Sequence, residues 1–147
     1  MSIENDYRIY ELRDPKLWGP QFWTFLYLSA LGLPVTLSTA QQAEFSRLLK
    51  TFHLFLPCME CRIHYSEMIK NIDTRVRTRE ETFNLVLLLH NKVRERLNKK
   101  TFSREDVISY FSKYKKWRYY MYTIEKYSVP LICILIVVIA ILRCKQR

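Results

Sequence analysis

The chain has 147 residues, 49% of them hydrophobic, with two glycines and five prolines; this suits one domain with a real core and excludes long flexible linkers and a turn-rich β architecture. Its net charge of +10 is uneven, with five Lys/Arg against six Asp/Glu through Glu60 and nineteen against eight from Cys61 onward. Nucleic acid, anionic lipid or a phosphate-bearing cofactor can each answer that charge, but no nucleic-acid recognition motif accompanies it, so a solvated basic face is the plainer reading.

Residues 1–13 carry Glu4, Asp6 and Arg8 without an apolar run, which makes them an N-terminal extension and no secretory signal. Asp14-Pro15 reads as an N-cap and first helical residue, opening a helix from about Leu17 to Gly32 that closes at Gly32-Leu33-Pro34. Trp18, Phe22, Trp23, Leu26, Tyr27 and Ala30 are spaced for one face. Such a stripe is ordinarily core, yet Trp18-Gly19-Pro20-Gln21-Phe22-Trp23 sets large flat rings beside a glycine that admits close approach. Ser38-Thr39-Ala40-Gln41 has capping-box spacing and starts a second helix to about Phe55, with Phe45, Leu48, Leu49, Phe52 and Phe55 as its buried stripe. His53 is placed at the surface or boundary.

Leu56-Pro57-Cys58-Met59-Glu60-Cys61-Arg62-Ile63-His64 is the stretch around which the chain is organised. Two cysteines two residues apart, after a proline suited to opening a helix, can close a small disulfide at a helix N-terminus. The amides and dipole of the first turn favour a thiolate at Cys58, which then attacks or leaves readily, while Cys61 lies one turn further in and passes electrons inward. Of the four cysteines only these two fall in the soluble part, too few for the disulfide framework of a secreted domain. This third helix continues to about Lys70 and into a basic connection at Arg75, Arg77 and Arg79.

Thr78-Arg79-Glu80-Glu81 caps a fourth helix to about Asn98, whose stripe of Phe83, Val86, His90, Val93 and Leu97 turns His90 inward. Ser103-Arg104-Glu105-Asp106 caps a fifth helix to about Trp117, bearing Val107, Tyr110, Phe111 and Tyr114. Residues 14–118 thus form one all-α domain of five helices. From Tyr127 to Leu142 there is no charge. Sixteen helical residues span about 24 Å, short of the ~30 Å hydrocarbon core, a gap that snorkelling by Lys126 and Arg143 can close. Tyr119, Tyr120, Tyr122 and Tyr127 suit an interfacial belt, so 119–126 reads as juxtamembrane, 127–143 as a transmembrane helix inserted as a tail anchor, and 144–147 as a basic tail. The domain is then expected in the cytosol, tethered to a host or virion membrane. Cys133 and Cys144, about 16 Å apart along a helix, cannot pair with each other.

Trp18-Gly19-x-x-x-Trp23-x-x-Leu26-Tyr27-x-x-Ala30, Pro57-Cys58-x-x-Cys61-x-x-His64 and His90-Asn91-x-Val93-x-x-x-Leu97-x-Lys99, in that order and spacing, resemble the Erv/ALR family of FAD-linked sulfhydryl oxidases. The resemblance covers about Leu17 to Trp117. It implies a four-helix bundle with a short fifth helix, an FAD within the bundle and a C-x-x-C against the isoalloxazine ring. On that likeness Cys58 exchanges with substrate thiols and Cys61 reduces the flavin. Trp18, Gly19, Trp23 and Tyr27 line it, with His64 close by. His90, Asn91, Val93, Arg94 and Leu97 contact the cofactor, Lys99 and Lys100 meet its ribityl or phosphate region, and Phe111 completes the site. Tyr27 stands where the family usually has histidine, and Arg94 where it usually has asparagine.

The absence of a second C-x-x-C is similar to the minimal oxidases of large cytoplasmic DNA viruses. It implies that a thiol-bearing protein substrate or a thioredoxin-like shuttle meets Cys58 directly. Oxygen would be the final acceptor, hydrogen peroxide the product, virion protein assembly the purpose and a homodimer the assembly. A different class of function uses the same residues: Cys58, Cys61, His64 and His90 as ligands of a structural zinc in a membrane-anchored adaptor without catalysis.

Overall fold

Each helix begins where a short polar side chain can take up the unpaired amides of its first turn. In the computed structural model, which describes Glu11 and the residues from Arg13 to Lys145, the first helix, α1, spans Pro15–Gly32. Side chains are described there except for Tyr114, Lys115, Arg118, Glu125, Val129 and 131–145. Asp14 caps α1 by accepting from the Lys16 amide (2.8 Å), with Pro15 in the first helical position. The second helix, α2, spans Thr39–Thr51 and carries the full capping box: Ser38 Oγ accepts from Gln41 N (3.3 Å) and Gln41 Oε1 from Ser38 N (3.0 Å).

The expected continuation of α2 to Phe55 is a separate 3-10 turn, Phe52–Phe55. Tightening from about 3.6 to 3 residues per turn rotates Phe55 off the buried face. It is 75% exposed, whereas Phe45 and Leu49 are buried.

Helix α3 spans Met59–Lys70 and α4 spans Arg79–Arg96. Thr78 Oγ1 caps α4 by accepting from Glu81 N (3.1 Å), but the Glu81 carboxylate takes the Arg77 amide (2.6 Å) in place of the cap's own. At the other end, Asn98 adopts a left-handed φ of 53°, Asn98 N donates to Glu95 O (2.9 Å) and Lys99 N to Arg94 O (2.8 Å). That Schellman turn stops the helix before Leu97, which lies off the expected stripe and is half exposed.

The chain divides after Thr101 into two compact units. In the first, α1 packs along α4, and α2, the 3-10 turn and α3 pack in succession. Leu26, Ala30, Leu49, Val86 and Leu89 are fully buried. The segment after α1 pairs with the one before α4 through an antiparallel bridge, Thr36 to Thr78. Leu37 N donates to Arg77 O (2.8 Å), Arg79 N to Val35 O (3.1 Å), and the Arg79 guanidinium to Leu33 O. The basic connection therefore ties the ends of α1 and α4 together. Buried Thr74 shares a 2.6 Å hydrogen bond with Ser46, and buried Thr82 donates to Thr78 O (2.7 Å), so neither hydroxyl is left unmatched.

The second unit is built on α5, Arg104–Lys145, opened by Ser103 and Asp106 in a reciprocal cap. The expected short fifth helix is 42 residues long and passes through Trp117 without a break. No glycine or proline lies between Arg104 and Val129, and Pro130 removes only one amide from an established helix. Among the described residues no helix is long and apolar enough to cross a membrane. The expected span 127–143 falls mostly on residues whose side chains lie outside the described set, its backbone continuing α5; Cys133 and Cys144 lie outside it too.

Candidate active site

Pro57 does not occupy the first turn of α3; it precedes the helix, and Cys58 takes the capping position. Cys58 and Cys61 are joined in a disulfide, with Cα atoms 5.2 Å apart. The Cys61 amide donates to Cys58 Sγ (3.2 Å), as an amide donates to a serine cap. When the bond is reduced, that donor and the helix dipole stabilise negative charge on Cys58 sulfur, the condition for a good leaving and attacking thiolate. Both cysteines are partly buried. The loop in front is held from within, since Arg62 Nε donates to Leu56 O (2.5 Å).

Behind the disulfide runs a chain of rings. Tyr65, one turn after Cys61, meets Phe22 edge-on at 6.2 Å. Phe22 in turn touches Phe52 at 4.7 Å and Trp23 at 4.8 Å. Trp23 stacks flat on His90, with centroids 4.3 Å apart and planes 11° from parallel. Tyr27 completes the group: its hydroxyl lies 3.2 Å from His90 Nδ1. Burial, aided by the Arg94 guanidinium, pushes His90 down to about 4, so the imidazole is neutral at ordinary pH. Burial also pushes the Tyr27 phenol up, keeping its proton in place.

The expected site residues separate into three groups. Trp23, Tyr27 and His90 meet in the α1–α4 seam, with Trp18 joined to it through Phe22 at 6.3 Å and anchored by its indole N–H to Arg13 O (3.0 Å). A Cβ built on Gly19 would meet nothing within 4 Å, so protein packing does not require that glycine and the space beside Trp18 is open. Asn91, Val93 and Arg94 are half-buried on α4, while Leu97, Lys99 and Lys100 are exposed at its end, where Arg94 Nε donates to Lys100 O. His64 is not in the ring chain; its Nε2 accepts from Arg96 Nη2 at 2.6 Å, and Glu60 stands 3.7 Å from its Nδ1. Phe111 is half-buried in the second unit beside Tyr110 (5.4 Å).

The four-ligand zinc arrangement is not assembled. The two sulfurs are bonded to each other, His64 faces a guanidinium and His90 is stacked under Trp23. Among the described residues no cluster of His, Cys, Asp and Glu could hold a metal ion.

Sequence reading missed Arg96, Arg62 and Tyr65. Arg96 and Arg62 act through contacts that helical periodicity does not show. Tyr65 follows His64 directly and reads as ordinary core, yet among the described residues its buried hydroxyl has no hydrogen-bond partner, nor has the buried Nδ1 of His53. Two orphaned polar atoms beside an aromatic chain are costly unless a bound group satisfies them.

Comparison with known proteins gives a consistent result. Residues 20–118 match the sequence model of the Erv1 / Alr family. A protein of Invertebrate iridescent virus 3 is 32% identical over 104 residues, covering 69% of this chain and 68% of its own length. A protein of African swine fever virus (isolate Tick/Malawi/Lil 20-1/1983) named FAD-linked sulfhydryl oxidase is 36% identical over 87 residues, covering 58% of this chain and 72% of its own. Among solved structures, the FAD binding domain of Erv1 from Saccharomyces cerevisiae superposes with a TM-score of 0.58 at 29% identity, over 61% of this chain and 86% of that one.

Proposed function

The chain belongs to the Erv1/Alr family, and from that membership we propose that it is an FAD-linked sulfhydryl oxidase making disulfide bonds in thiol-bearing proteins. The observation that carries the reading is the Cys58–Cys61 disulfide at the capped start of α3, with a chain of rings that begins one turn further along the same helix at Tyr65. The residues fit a flavin dinucleotide. Trp18 and Trp23 offer aromatic surface near Gly19, with buried Tyr27 beneath them on the same helix, Tyr65 and His53 hold polar atoms unmatched among the described residues, and Arg94, Lys99 and Lys100 supply positive charge for phosphates. On this reading His90, Asn91, Val93 and Leu97 line the α4 side, with His64 at the redox end.

The chemistry of the chain itself is thiol exchange. A substrate thiolate attacks Cys58 Sγ, the bond to Cys61 breaks, and Cys61 departs as a thiolate. The second substrate thiol then attacks the mixed disulfide at its substrate sulfur, releasing oxidised substrate and leaving Cys58 and Cys61 both reduced. When bound, FAD supplies the two-electron acceptor for this reduced pair and the route onward to oxygen, with hydrogen peroxide as product. The Cys61 amide stabilises the charge that appears on Cys58 Sγ when the mixed disulfide is resolved, and Arg62 keeps the loop fixed while the partner bond changes hands.

The same reading takes 14–118 as the oxidase domain, preceded by the extension 1–13 and followed by the juxtamembrane segment 119–126, a membrane anchor at 127–143 and the tail 144–147. The uncharged run from Tyr127 to Leu142 supports the anchor; with relatives encoded by viruses, the reading extends to oxidation of virion proteins, in the cytosol at a host or virion membrane. The exposed apolar side chains Leu17, Phe25, Leu28 and Leu31 on α1 support a homodimer. Full-length protein purified in detergent tests the oxidase reading. The expected result is an oxidised flavin spectrum that bleaches under anaerobic dithiol and returns with air; a folded, colourless protein that binds no added FAD would overturn it.

A further inference from the structure

We infer that Tyr27 is a positioning residue acting through His90: its hydroxyl donates to Nδ1 and fixes the imidazole in the tautomer that carries its proton on Nε2. The contact joins residues 63 apart in sequence and is buried, with Tyr27 only 3% exposed. The flat stack on Trp23 fixes the plane of the imidazole, so the hydroxyl meets one particular nitrogen and not a rotating ring. A phenol is the stronger acid of the pair and a neutral imidazole nitrogen the stronger base, which makes O–H···N the favoured sense of the bond. Burial keeps the phenol protonated against the opposing pull of the Arg94 guanidinium, and burial together with that guanidinium keeps the imidazole neutral, so each partner has the proton count this arrangement needs.

A neutral imidazole has one N–H. With Nδ1 accepting, that N–H is on Nε2, and the ring presents a donor of fixed direction on its other edge. The consequence rests on the proposed flavin reading: Tyr27 shapes the site by choosing what His90 offers, a carbonyl or ring-nitrogen acceptor being the ligand chemistry that Nε2–H takes. His90 would then discriminate for acceptors on the cofactor without changing charge during turnover.

Nitrogen-15 spectra of full-length protein labelled at histidine, recorded near neutral pH before and after adding FAD, test this, with His90→Gln assigning the signal among three histidines. The expected wild-type spectrum shows His90 almost wholly as the Nε2–H form. Tyr27→Phe is expected to shift it to a mixture of both tautomers and to weaken FAD retention about tenfold. An Nδ1–H form in the wild type, or an unchanged tautomer ratio in Tyr27→Phe, overturns the inference. The wild-type spectrum decides the matter even if the variant does not fold. Failure to bind FAD, with the Nε2–H form still present, counts against the flavin reading and leaves the tautomer assignment standing.

Discussion

The redox corner at the start of α3 and the α1–α4 seam are joined by one chain of rings, yet they are built on opposite terms. At the corner, Cys58 and Cys61 are only partly buried, Phe55 before them and Met59 between them are exposed, and the polar links Arg96–His64 and Arg96–Glu60 face solvent. In the seam, Leu26, Ala30, Val86 and Leu89 have no exposure, and the polar pair Tyr27–His90 is matched internally. The difference separates two requirements. A disulfide that trades with other proteins must be reachable, and its reactivity comes from a helix end, which a few local bonds can hold. A surface that orients a cofactor must not move, and rigidity of that kind comes from close packing.

Changing the disulfide should break this contrast most sharply. Cys61→Ser is expected to abolish dithiol oxidation while leaving the fold and flavin binding intact; turnover retained in an oxygen-consumption assay would remove Cys61 from its assigned role. Leu26→Ala attacks the other region, and loss of a fully buried leucine is expected to cost roughly 2–5 kcal/mol, read from denaturant unfolding. A change much below that would mean the seam is looser than its burial shows.

Acid sharpens the comparison next, because His90 lies in the seam. Its folded-state value of about 4 is below the usual 6.5, so between those values the unfolded chain binds more protons than the folded one. Stability should therefore fall as pH drops from about 6.5 towards 4, by up to about 2 kcal/mol after allowance for partial exposure. His90→Gln should flatten that slope in unfolding curves measured across the range. The smallest effect is expected at the corner: Arg96→Gln removes two solvent-facing contacts and should cost less than about 1 kcal/mol in the same assay. A larger loss would show that the corner depends on its polar links more than exposed pairs ordinarily allow.

The helices and their starting points were legible in the amino-acid order because capping, proline placement and apolar spacing are local. Asp14, Ser38, Thr78 and Ser103 each cap the helix they precede, and Cys58 and Cys61 stand at a helix start as their spacing requires. Helix ends were less legible. The 3-10 turn at Phe52–Phe55 and the Schellman turn at Asn98 change the period without a glycine to announce it, and α5 continues past Trp117 because nothing local stops it.

Tertiary structure alone decided what meets what. The bridge from Thr36 to Thr78 aligns α1 with α4, and only that alignment brings Tyr27 and Trp23 to His90 and turns a stripe and a lone inward histidine into one site. It also sent His64 to Arg96, away from the rings. Periodicity states which face of a helix is buried; the partner across that face is set by long-range packing, where residues 32 or 63 apart come together at the entropic cost of ordering the chain between them.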